Sequence, residues 1–142
     1  MPELSAEELK LHLNEEHVAA LVTLNEDGSP HVTPVWYMHR AGSLQIVTNE
    51  SYVKVRNIRR DPRVAVSIAS NSEPYWYVVF EGKATVEHRN VEGRTLDMCV
   101  RYQGPEAGAE YARELLSEEG TVILEVSPAR VRTWKDDQEP GA

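Results

Sequence analysis

Residues 17–38 read HVAALVTLNEDGSPHVTPVWYM. An apolar, β-prone run meets Asn25-Glu26-Asp27-Gly28-Ser29-Pro30, and a second β-prone run leaves it. Asp-Gly between two such runs is a strong hairpin signal, because tight hairpin turns need residues that tolerate positive φ. The returning strand is expected over 31–38, with Pro34 in its middle. Proline cannot donate to a ladder, so this strand must be an edge or carry a bulge.

The same grammar continues outward. Ala41-Gly42 makes the next turn, and SLQIVT (43–48) a strand with Leu44, Ile46 and Thr48 on one face. RVAVSIAS (63–70) places Val64, Val66 and Ile68 on one face, and Asn71-Ser72-Glu73-Pro74 turns the chain. YWYVVFEGKATVEH (75–88) is a long strand, in which Gly82 marks a bulge or bend. A last strand runs from Gly120 through Trp134, interrupted at Ser127-Pro128. Helices fall between. Ser5 and Glu8 form a capping box, and Leu9, Leu11 and Leu13 predict packing on more than one side. A basic helix capped by Ser51 ends before Pro62. Asn90 caps a helix carrying Val91, Thr95, Met98 and Tyr102, Gly104-Pro105 breaks it, and 106–117 form a short helix. Six strands joined by short turns predict a mainly β fold, a small barrel with peripheral helices. One domain is expected over 1–142, with an N-terminal helix in 1–16, the barrel in 17–135 and a flexible tail at 136–142.

Composition narrows the classes. In 142 residues, 41% hydrophobic and 27% charged is an ordinary globular balance. No apolar run is long enough to span a membrane, and the acidic N-terminus does not read as a secretory signal. The single cysteine, Cys99, fits a reducing cytoplasm and reads as a small buried hydrophobe. A net charge of −8 argues against nucleic-acid binding. Yet SYVKVRNIRRDPR (51–63) holds five of the fifteen basic residues, Lys54, Arg56, Arg59, Arg60 and Arg63, against one acid, Asp61. A cationic island on an acidic chain reads as a local anion site or as a solvated helix face.

His12 and His17 lie five apart and do not converge on one ion, and no metal site is expected. No nucleophile elbow, Walker loop or dinucleotide fingerprint occurs. What remains is TNESYVKVRN (48–57), where a strand ends and a helix begins beside Lys54 and Arg56. Amides of a first helical turn, hydroxyls and cations together suit a phosphate group.

Thr48-Asn49, Ser51, Lys54 and Arg56-Asn57, running into Arg59-Arg60-Asp61-Pro62, resemble the signature of the pyridoxamine 5′-phosphate oxidase-like split-barrel superfamily. The stretch Lys-x-Arg-Asn-x-Arg-Arg-Asp-Pro most resembles its branch dependent on the deazaflavin coenzyme F420. The resemblance covers about His17 to Trp134, including Phe80-Glu81-Gly82-Lys83-Ala84. It implies a six-stranded, FMN-binding-like split β-barrel and a homodimer with cofactor sites at the interface. It implies that Thr48, Ser51, Lys54 and Arg56 hold the cofactor phosphate within the Thr48–Arg60 signature, which also contains Asn49, Asn57 and Arg60. It implies too that Thr33, Pro34, Val35 and Trp36 line the flavin or deazaflavin ring. Tyr75 and Trp76 either wall the ring or substrate, or serve as core or interface aromatics.

The vitamin-making oxidases of this superfamily place an Arg and a Lys on the second strand, where this chain has Thr-Pro-Val-Trp-Tyr-Met. That departure points away from oxidation of pyridoxamine phosphate. The resemblance implies an F420-dependent reductase that passes hydride to a planar conjugated acceptor. No general acid or base is assigned among the residues. Two alternatives stand beside it, an FMN-binding oxidoreductase of the same fold and a non-catalytic cofactor or tetrapyrrole carrier. The extra cations Arg56, Arg59 and Arg60 suit the polyglutamyl tail of F420, whereas FMN needs only its phosphate held.

Overall fold

Asp27-Gly28 turns the chain as its residues dictate. Gly28 takes φ +86°, and the Asp27 carboxylate accepts hydrogen bonds from the backbone N–H (2.9 Å) and hydroxyl (2.5 Å) of Ser29. In the computed structural model, which describes residues 2–136, this turn joins β1 (Ala19–Leu24) to β2 (Pro30–Val35) in antiparallel register, Leu24 facing Pro30 and Ala19 facing Val35. The remaining elements are α1 (Ala6–Leu13), β3 (Met38–Arg40), β4 (Ser43–Asn49), α2 (Val53–Arg60), β5 (Arg63–Ala69), β6 (Trp76–Glu87), α3 (Val91–Gln103), α4 (Pro105–Ser117) and β7 (Thr121–Lys135). Most of the tail expected at 136–142 lies outside the described residues.

The single strand expected over 31–38 is two strands. Pairing stops after Val35 and resumes at Met38, and the sheet order is β2-β1-β5-β6-β7-β4-β3. β2 and β3, consecutive in the chain, are therefore the two edges of a seven-stranded antiparallel sheet, not a six-stranded one. Laid flat, six strand spacings would separate those edges by roughly 29 Å. Three Cα steps, from Val35 to Met38, reach at most about 11 Å. The sheet must curl until its edges nearly meet, and Trp36-Tyr37 bridges the split. The edge position expected from Pro34 is found, since β2 pairs only with β1.

The interior is filled by the alternation visible in the sequence. Leu44, Ile46, Thr48, Val64, Val66 and Ile68 are all buried. They meet Val78 and Phe80 from β6, and Val122 and Leu124 from β7. Each such aliphatic side chain contributes about 1.5–3 kcal/mol. α2 sends Val55 and Ile58 into the same core.

Gly82 sits at a register shift: Glu81 faces Arg130, and Gly82 faces Pro128. A Cβ on Gly82 would lie 2.1 Å from the Ser127 carbonyl oxygen, so only glycine fits. The expected interruption at Ser127-Pro128 is instead this bulge within a continuous β7. In α1 both capping-box bonds form, Ser5 N–H to Glu8 (3.0 Å) and Glu8 N–H to Ser5 Oγ (3.1 Å). Its leucines do not all pack: Leu9 and Leu13, four apart, join the core, while Leu11 is 64% exposed.

Asn90 precedes α3 as expected, but in the left-handed conformation and without a side-chain capping bond. Gly104, at φ +87°, ends α3 and begins α4, with Pro105 at the first helical position. The two helices pack closely where a Cβ on Gly108 would fall 2.6 Å from the Cys99 carbonyl oxygen. Cys99 is buried, and burial raises its thiol pKa, as suits an inert core residue. No helix among the described residues is long and apolar enough to cross a membrane.

Candidate functional site

A cleft of about 450 Å³ opens where the barrel is split. One wall is the end of β2 and the bridge, namely Pro34, Val35 and Trp36. The C-terminal end of β4 supplies Val47, Thr48 and Asn49, and the entry to α2 supplies Tyr52 and Lys54. The helical pair closes the other side with Met98, Tyr111 and Leu115, and Glu118 and Thr121 stand at the end of α4 and the start of β7.

The turn entering α2 is fixed by Asn49. Its Oδ1 accepts the Ser51 N–H (3.0 Å) and hydroxyl (2.9 Å), and its Nδ2 donates to the Glu119 carbonyl (2.9 Å). Ser51 was expected to cap the helix. The N-cap is Tyr52, one residue later and with no side-chain capping bond, and the Ser51 hydroxyl donates to Asn49 instead. The first turn of α2 thus reaches the cleft without a side-chain acceptor of its own.

Lys54 is half-buried and lines the cleft. Its Nζ lies 5.5 Å from the centre of the Tyr52 ring. No ion pair engages it among the described residues. Burial lowers its pKa from the ordinary lysine value. A desolvated cation without a counter-charge favours an anionic ligand. The Thr48 hydroxyl, on a residue 7% exposed, is buried and has no hydrogen-bond partner among the described residues. A buried polar atom without a partner carries a free-energy cost that a ligand can relieve. These two groups and the uncapped helix fit a phosphate.

Of the sequence-derived site residues, Pro34, Val35, Trp36, Thr48, Asn49 and Lys54 come together on this cleft. Ser51 adjoins it through Asn49. Thr33 faces the barrel interior opposite Leu21, and its hydroxyl is also buried without a partner. Arg56 is exposed and off the cleft lining. Asn57 is buried beneath α2, where its Nδ2 donates to Thr23 Oγ1 (3.0 Å) and Asn25 Oδ1 (3.1 Å). Arg60 donates to the Leu24 carbonyl (2.6 Å) and to Asn57 (3.1 Å), and Arg59 pairs with Glu50 at 2.8 Å. Much of the basic island therefore anchors α2 to its neighbours. Tyr75 and Trp76 lie away from the cleft lining. Trp76 stacks on His12 with centroids 4.2 Å apart, and Tyr75 is 46% exposed.

The helical wall was not anticipated as part of the site. Tyr111, Leu115 and Glu118 recur at spacings of four and three, a signal that marks one helix face but not what that face meets. Trp36 stacks flat on Tyr102, and Tyr111 meets Trp36 edge-on at 5.9 Å.

Curled sheet, bridged split and cleft together are the architecture of the pyridoxamine 5′-phosphate oxidase-like split barrels. Residues 5–135 match the family described as pyridoxamine 5′-phosphate oxidase, and the chain belongs to that family. Among solved structures, a conserved hypothetical protein from Mycobacterium tuberculosis is similar at 25% identity, covering 98% of this chain and 93% of that one, with a TM-score of 0.80. An F420 reductase is similar at 24% identity, over 92% of this chain and 98% of its own, with a TM-score of 0.71. HutZ, the heme storage protein from Vibrio cholerae, shares the fold at 14% identity, over 92% of this chain and 93% of its own, with a TM-score of 0.72. No curated protein matches the chain.

Proposed function

We propose that this chain is an oxidoreductase that binds coenzyme F420 in the split-barrel cleft, with FMN as the alternative ligand of the same site. The observation that carries the reading is the meeting, in one cleft, of unpaired Lys54 and the partnerless Thr48 hydroxyl with the wall made by Pro34, Val35 and Trp36. Lys54, Thr48 and the first turn of α2 hold the phosphate, with Ser51 and Asn49 shaping the turn that presents it. The edge strand orients the ring, and Met98 and Leu115 exclude water from it. When bound, the reduced deazaflavin supplies a hydride to a planar conjugated acceptor.

The choice between F420 and FMN turns on the basic helix. With Arg59 given to Glu50 and Arg60 to Leu24 and Asn57, Arg56 is the exposed cation left to meet a polyglutamyl tail. That narrows the preference for F420 and keeps FMN in view, while the fold shared with an F420 reductase supports the first reading. Homodimerisation belongs to the same proposal. On the outer face of the sheet Val32, 58% exposed, lies beside Val22 and then Ala65, and Tyr77, 37% exposed, faces Ala69, with the charged Glu81 opposite Ala65 at the margin of this apolar patch. Burying such a face is what a stable dimer requires.

An absorbance spectrum of the purified protein, followed by titration with F420 and with FMN, tests the reading. Micromolar binding of F420 with weaker binding of FMN supports it. FMN released from a yellow protein on denaturation makes the flavoprotein primary. Binding of neither overturns both and leaves a carrier of another ligand.

A further inference from the structure

Trp36 and Tyr37 bridge the split without sheet partners, since ladder pairing ends at Val35 and resumes at Met38. Their position is set from outside the sheet, by α3. The Tyr102 hydroxyl accepts the Tyr37 N–H at 3.1 Å and lies 2.6 Å from the His17 carbonyl and 3.3 Å from the Tyr37 carbonyl. A hydroxyl has one proton, so the short contact to His17 takes it, and the Tyr37 N–H fills a lone pair. The Tyr102 ring lies parallel to the Trp36 indole, with centroids 4.6 Å apart and planes 3° from parallel. One side chain therefore holds the bridge backbone through its oxygen and the adjoining indole through its ring.

Arg101 braces the same point. It donates to the carbonyls of Leu13 (3.0 Å), Asn14 (3.2 Å) and Glu15 (2.6 Å) at the end of α1, and its guanidinium lies 5.3 Å from the centre of the Tyr37 ring. Burial raises the Tyr102 hydroxyl pKa above the ordinary phenol value, so it remains a donor at working pH. Tyr102 is not part of the cleft lining, whereas Trp36, which it fixes, is.

We propose that Tyr102 is a positioning residue for the ligand site: by clamping the Trp36-Tyr37 bridge it fixes the tilt of Trp36 and hence the gap in which a planar ring lies. The effect on ligand affinity rests on reading the cleft as the cofactor site; the clamp itself does not.

The test compares Tyr102→Phe, which keeps the ring but removes the oxygen, with Tyr102→Leu, which removes both. Amide exchange at Tyr37 and the Trp36 indole N–H resonance are read by NMR, and F420 and FMN are the titrated probes. In Tyr102→Phe, Tyr37 exchange rises at least about tenfold, the Trp36 resonance moves, and affinity for the probe that wild type binds falls about tenfold. Tyr102→Leu loses more. Val66→Ala, a cavity in the barrel core, controls for general destabilisation: at a comparable drop in Tm it leaves affinity unchanged. Wild-type affinity in Tyr102→Phe, or an equal loss in Val66→Ala, overturns the positioning role. If wild type binds neither probe, the cofactor reading falls by itself, and the clamp is judged on the two NMR signals: unchanged they overturn it, shifted they support it.

Discussion

Trp36 stacks face to face on Tyr102, 4.6 Å between centroids and 3° from parallel, across 66 residues of sequence. The contact joins the bridge between the sheet edges to the helical pair that forms the opposite wall of the cleft. An aromatic pair of this kind contributes about 0.5–1.5 kcal/mol beyond its buried area. Trp36→Ala is therefore expected to weaken both stability and ligand affinity, whereas Trp36→Phe, retaining a stacked ring, recovers most of both. Thermal melts and FMN titration of the two variants make the comparison.

Lys54→Ala should weaken FMN and F420 binding by about 1.5–3 kcal/mol, roughly 10- to 150-fold, the worth of a charge-assisted contact. Tm should hold or rise, because the substitution removes a half-buried cation that has no ion pair among the described residues. Isothermal titration against both ligands reads the first effect; equal affinity in wild type and variant would remove Lys54 from the site.

The same lysine predicts a pH dependence. Burial lowers its pKa below the ordinary lysine value, so in the free protein the cation is lost before an ordinary lysine would lose it. Affinity for a phosphate ligand should decline on the alkaline side at a pH below that value, with proton uptake on binding there. The folding sign follows: a lysine with a depressed folded pKa binds fewer protons folded than unfolded, so its penalty to stability lessens as pH rises through that range. Titrations in buffers of differing ionisation enthalpy, with Lys54→Ala as reference, detect the uptake.

Gly82→Ala places a methyl 2.1 Å from the Ser127 carbonyl oxygen, against backbone that cannot swing aside. A loss of about 1–3 kcal/mol or more is expected in urea denaturation. Gly28→Ala meets no atom within 4 Å and is strained only by its φ of +86°, so it should cost less, about 1 kcal/mol. Equal costs would contradict the close approach at the bulge.

Acid should act through two exposed pairs. The Lys135 hydrogen bond, with Ser5, holds Glu8 at about 2, and Arg63 holds Asp61 at about 2. Both carboxylates are depressed in the folded state, so their contribution is complete above the unfolded values near 4 and lost as pH falls toward 2. Carboxyl NMR titration of Lys135→Ala should move Glu8 back toward the ordinary range, and added salt should shrink the effect in wild type.

What the sequence determined is what neighbours along the chain decide. Asp27-Gly28, the capping box of Ser5 and Glu8, the edge character imposed by Pro34, the bulge at Gly82 and the alternating faces of β4 and β5 all depend on φ preferences or side-chain periods a few residues long. So does the anion site proposed around Lys54, since strand end, helix start and cation are contiguous. Tertiary structure decided the rest. Nothing local tells Trp36-Tyr37 to leave one sheet edge for the other; Tyr102, 65 residues from Tyr37, receives that bridge. Nothing local says that Ser51 gives its hydroxyl to Asn49 or that Asn49 ties to Glu119, 70 residues away. In the basic helix the sequence counts charges equally. The fold spends Arg59 on Glu50 and Arg60 on Leu24 and Asn57, and among the described residues it gives Lys54 no ion pair. Charge is a property of the residue, but whether it is satisfied depends on what the closed barrel brings beside it.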